Sequence, residues 1–139
     1  MSTQIALTIA AIASGLLAGF FLAFASILNL VLGSTGEIRR IATRTAIIVG
    51  VLGGIAALSA LGAIVNHLNT TDAMNVIGPT LVGLILVVIG AGLGLFAAGN
   101  ARRDANPPLI LRWKQSNWGA MAVSAAAFIL LLAAMNTLV

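Results

Sequence analysis

Apolar residues in this chain run in long unbroken blocks, without the alternation of a half-buried strand or the one-sided stripe of a surface helix. Four blocks, about 5–32, 45–65, 79–99 and 118–138, are separated by polar stretches. About 20 consecutive apolar residues already cross the hydrocarbon of a bilayer, and in such a span a helix satisfies its own backbone polar groups. The short alternating segments of a membrane barrel are absent. The pattern predicts an all-α integral membrane protein, with a single transmembrane domain over residues 1–139 built as a four-helix bundle. The first block would reach roughly 42 Å as a helix, beyond the roughly 30 Å core, and is expected to tilt or protrude. No Lys or Arg precedes it and it is about twice as long as a signal-peptide core, so it reads as a retained helix. Pro79 is expected at the start of the third helix, where a missing N–H costs nothing. Asn106-Pro107-Pro108 reads as a break in the third loop, before the fourth helix.

Charge placement orients this frame. The chain holds seven Lys and Arg, three acids and one His, with a net charge of +4. Arg39, Arg40 and Arg44 fall in the first loop, 33–44, and Arg102, Arg103, Arg112 and Lys114 in the third, 100–117; the stretch Asn66 to Gly78 has none. With four spans the two basic loops share a side, and the positive-inside rule places them in the cytoplasm with both termini non-cytoplasmic, as in a bacterial-type plasma membrane. Trp113 and Trp118 are expected to anchor the start of the fourth helix in the headgroup region. The pI near 11.7 reflects this short list of charges, and no nucleic-acid partner is expected. With 60% apolar and 7% charged residues and a mean hydropathy of +1.13, the lipid bilayer is the expected surroundings.

Candidate chemistry is sparse. The lack of Cys excludes disulfides and thiolate sites. His67 is the sole histidine, and Glu37, Asp72 and Asp104 all fall in loops, so no metal, haem or other cofactor is expected. Nor is there a carboxylate within a span to serve a proton-coupled multidrug carrier. Ser14, Ser26, Ser59 and Ser124 lie at depth, where hydroxyls are expected to bond back to their own helix. Asn29, near the end of the first helix, and His67, at the outer end of the second, are the other polar candidates. Asn29 can bond across helices, cap the helix or bind a ligand, and His67 reads as an interfacial residue.

Small residues at helical spacing are more frequent. Gly15 and Gly19, Gly50 and Gly54, and Gly90 and Gly94 form three GxxxG pairs, which allow close backbone approach in lipid. The stripe Gly15, Gly19, Leu22, Ser26 and Asn29 is expected to face protein, as is Gly83, Val87, Gly90, Gly94 and Ala97.

The segment Arg112-Trp113-Lys114-Gln115-Ser116-Asn117, a Trp followed four residues on by an Asn, resembles the C-terminal signature of the anthrone oxygenase-like (DUF1772) family of small four-helix membrane proteins. Ala18-Gly19-Phe20-Phe21-Leu22-Ala23-Phe24 resembles its Gly-aromatic opening; Ala120 stands where the family pattern has Arg. The resemblance implies a cofactor-independent oxygenation of an aromatic polyketide, with Trp113 and Asn117 near the substrate. The residues themselves favour a non-catalytic membrane subunit or interaction protein, partnered by other membrane chains or by its own copies. An oxygenase-like enzyme and an oligomeric channel or carrier are the alternatives.

Overall fold

The structure, a computed structural model, describes residues 3–31, 35–68, 73–103 and 107–137; within these, the side chains of 25–31, 35–39, 73, 100–103, 107–112 and 114 lie outside the description. The described residues form four helices: α1 (Thr3–Val31), α2 (Thr35–His67), α3 (Ala73–Arg103) and α4 (Pro107–Thr137). Each is long and apolar enough to cross a membrane. Three begin well before their apolar blocks, α2 at Thr35 rather than 45, α3 at Ala73 rather than 79 and α4 at Pro107 rather than 118. Hydropathy marks where the side chains turn polar, whereas the backbone stays helical through Arg, Lys, Gln and Ala, all good helix formers. At 33 residues, α2 is about 50 Å long, more than a hydrocarbon core of roughly 30 Å requires.

The prolines are placed differently from the expectation. Pro107 and Pro108 start α4 instead of breaking a loop, since the first turn needs no donor from them. Pro79 lies inside α3 and withholds an N–H from the carbonyl four residues back, that of Asn75. One residue along, the Thr80 hydroxyl donates to the Val76 carbonyl at 2.6 Å, a bond back to its own helix that keeps a buried hydroxyl satisfied.

The helices pack as a closed ring, α1 against α2 and α4, and α3 against α2 and α4, with successive helices antiparallel. The core is layered along the axis. Phe24, Ala42, Ala97, Ala98 and Trp113 form the layer nearest the basic residues. Below it come Leu17, Phe21, Val49, Ala91 and Ala120, then Ala13, Ala56, Val87 and Ala127. The far layer is built on Leu7, Ala10, Ala60, Ala63, Val76, Leu131 and Ala134. Alanine recurs in every layer, so each large side chain meets small ones and the helices stay close.

The packed glycines are only partly those of the GxxxG pairs. A Cβ built at Gly90 would lie 2.6 Å from the Ser124 Oγ, at Gly94 2.8 Å from the Phe21 ring, and at Gly15 3.1 Å from Phe128. On α3 the whole stripe Gly83, Val87, Gly90, Gly94 and Ala97 is buried. On α1 only the Gly15 end of the expected stripe meets protein: Gly19 and Leu22 are exposed, and nothing lies within 4 Å of a Cβ at Gly19. Ser26 and Asn29 have side chains outside the description. The buried face of α1 runs instead through Leu7, Ala10, Ser14, Leu17, Phe21 and Phe24. On α2, Gly50 and Gly54 likewise meet nothing within 4 Å, and the packed residue is Gly53, whose Cβ would lie 2.7 Å from that of Ala91. Both faces of these helices are apolar, so the choice of inward face rests on side-chain shape.

Gly53→Ala therefore pits two methyl groups against each other that only a backbone shift can separate. Overpacking of this kind costs about 1–3 kcal/mol. Thermal unfolding in mild detergent should show Gly53→Ala clearly destabilised and Gly50→Ala and Gly54→Ala at or above the parent, since Ala is the better helix former. Equal loss at all three positions would refute this packing.

Candidate functional site

The larger side chains and the charges meet at the basic end of the bundle. Helical spacing of four aligns Phe20 and Phe24 on α1, and their rings stack with centroids 5.6 Å apart. Phe24 in turn meets the Trp113 indole at 5.3 Å and 46°, and Phe20 lies 6.0 Å from Phe21. Offset and tilted rings at such distances gain roughly 0.5–1.5 kcal/mol per pair beyond the area they bury. Trp113 is only 2% exposed, whereas Trp118 is 52% exposed.

Trp113 is thus not an interfacial anchor, as its position near a loop had suggested; it is the largest fully buried side chain described. Asn117 is likewise an internal residue. It lies ten residues inside α4 (117 − 107), is 2% exposed, and its Nδ2 donates to the Phe21 carbonyl of α1 at 2.8 Å. Both belong to the inward stripe of α4, in which 113, 117, 120, 124, 127, 131 and 134 are all buried. That run of fours and threes is legible in the sequence once α4 is allowed to start before Trp118.

Between α1 and α2, beside the aromatic cluster, a groove of about 180 Å³ is lined by Phe20, Phe24, Ile41, Arg44, Thr45 and Ile48. It opens sideways, and its walls are almost wholly apolar. Thr45 is buried in its floor and Arg44 exposed at its rim, with Arg40 exposed one turn nearer the helix start. Hydropathy did not point to this site, because Arg44 reads as one more loop charge until α2 is extended back to Thr35. Trp113 and Asn117 do not line it.

The remaining polar candidates lie apart. His67 closes α2 and is half-buried, at the end opposite the groove. The backbone of Asn29 is in α1, with its side chain outside the described residues, as are the side chains of Ser26 and of the three acids. Ser14 and Ser124 are fully buried, and among the described residues their hydroxyls have no hydrogen-bond partner. They do not bond back to their own helices as expected, although the Thr8 hydroxyl does so, to the Gln4 carbonyl.

The site separates two contributions that can be measured. Truncating a buried Trp to Ala costs roughly 3–5 kcal/mol in protein cores, while a hydrogen bond between membrane helices averages about 0.6 kcal/mol. Trp113→Ala should lower the unfolding temperature in detergent well beyond Asn117→Ala, each measured against the parent. The opposite order would show that the amide, and not the ring cluster, holds α1 to α4.

No family model, curated protein or solved structure matches this chain, so the resemblance to the anthrone oxygenase-like family stands on the quoted residues alone.

Proposed function

We propose that the chain is a non-catalytic integral membrane interaction protein, a subunit that associates with other membrane chains or with its own copies through the outward face of α2. The observation that carries this reading is the placement of Gly50 and Gly54. They form a GxxxG pair on a spanning helix, yet nothing in the bundle lies within 4 Å of where their Cβ atoms would be. Ile47, Val51, Leu58, Leu61 and Val65 continue the same exposed face. A shallow notch flanked by branched side chains lets a second helix come close, which is how membrane helices associate without a hydrophobic drive. Trp113 and Asn117 support the non-catalytic reading, because both are packed against α1.

Replacing Gly50 and Gly54 together with Leu should abolish oligomers or co-purifying chains seen by cross-linking in native membranes. The unfolding temperature of the isolated chain should stay near that of the parent. A parent that is monomeric and free of partners in those membranes would overturn the reading, as would association that survives the double substitution.

The same reading includes an orientation. Arg39, Arg40, Arg44, Arg102, Arg103, Arg112 and Lys114 face the cytoplasm, because basic loops are retained on the side of the anionic, negatively polarised leaflet. The chain has no Cys, so single cysteines at Thr35, Thr71 and Ala105 can be probed in intact cells with a membrane-impermeant thiol reagent. Labelling at 71 with protection at 35 and 105 is the expected result, and the reverse pattern refutes the orientation.

A further inference from the structure

We propose that the groove between α1 and α2 holds one acyl chain of an anionic phospholipid, with the lipid phosphate bound by Arg44. The inference goes beyond the association through α2 and does not depend on it. Size is the first argument. Pockets for drug-sized ligands measure roughly 300–1,000 Å³, and about 180 Å³ suits a segment of a single chain. Shape is the second. Phe20 and Phe24 stand one turn apart on α1, facing Ile41 and Ile48, two turns apart on α2. These two rows bound a trough parallel to the helix axes and open along its side, the direction in which neighbouring acyl chains lie.

Charge selects the headgroup. Among the described residues, Arg44 is the one charged side chain lining the trough. In a helix the Cα–Cβ bond tilts toward the N-terminus, which in α2 is the basic end. A guanidinium on that stem reaches from the trough toward the headgroup level, its methylenes remaining against apolar surface. There its planar fork suits two phosphate oxygens at once, and Arg40, exposed one turn closer to the helix start, adds a second positive charge. A zwitterionic lipid brings an ammonium group into the same field and gains less. Basic pockets between spanning helices are a recognised way of holding anionic headgroups.

Native mass spectrometry of the full chain in detergent, titrated with phosphatidylglycerol or phosphatidylcholine, tests this. The parent should retain one phosphatidylglycerol roughly tenfold more tightly than phosphatidylcholine, the scale expected for one or two basic groups at the membrane surface. Arg44→Gln should remove most of that preference for phosphatidylglycerol. Ile48→Trp, at a side chain already 39% exposed, should fill the trough and weaken both lipids. Arg103→Gln, which removes the same charge from α3, should change neither. Unfolding temperatures near the parent's confirm that each variant is folded. Equal affinity of the parent for the two lipids would overturn the proposal. So would an Arg103→Gln loss as large as that of Arg44→Gln, or unchanged binding to Ile48→Trp.

Discussion

Two helices in a bilayer gain nothing by hiding apolar surface from water, because lipid already hides it, and their attraction rests on how closely their backbones can approach. This bundle depends on that distance. Gly53 admits the methyl of Ala91, Gly90 admits the Ser124 hydroxyl, and Gly94 admits the Phe21 ring. These three contacts draw α2 and α4 against α3, and α1 across to it. Dispersion between atoms at van der Waals separation is small for each pair and large in sum, and it fades quickly with a gap. Alanine in every layer keeps the gaps closed.

The few polar groups inside take their meaning from the same closeness. Asn117 reaches the Phe21 carbonyl at 2.8 Å because the aromatic cluster has already brought α1 and α4 together. A carbonyl in a helix carries two lone pairs, so it accepts the amide while keeping its own helical bond. Ser14 and Ser124 mark the other side of tight packing. Their hydroxyls are fully buried without a partner among the described residues, and for Ser124 this follows from pressing into the hollow at Gly90. An unmade hydrogen bond is a cost, here accepted where the backbones are closest.

Packing that uses one set of small residues leaves another outside. Gly19, Gly50 and Gly54 meet nothing within 4 Å, and beside them the trough of Phe20, Phe24, Ile41, Arg44, Thr45 and Ile48 remains unfilled by protein. The outer surface of α1 and α2 is therefore uneven, with hollows at depth and positive charge at one end. A surface of this relief offers a neighbouring helix or acyl chain hollows to fit, which a uniform leucine face does not.

The number of helices, their apolar character and the collection of positive charge around two of the three connections are determined by the sequence alone. These properties belong to single segments: a run of apolar residues long enough for the hydrocarbon must be helical there, whatever it packs against. Helix boundaries were less legible, because hydropathy changes at the membrane surface while backbone hydrogen bonding continues, as at Arg44 and Trp113. Tertiary structure decided the inward face of each helix. For soluble helices the polar side announces the outside; here Gly53 and Gly54, adjacent and identical, differ in that only Gly53 meets Ala91. Trp113 became a core residue and Arg44 the rim of a groove for the same reason, since side-chain shape chooses the packed face when every face is apolar.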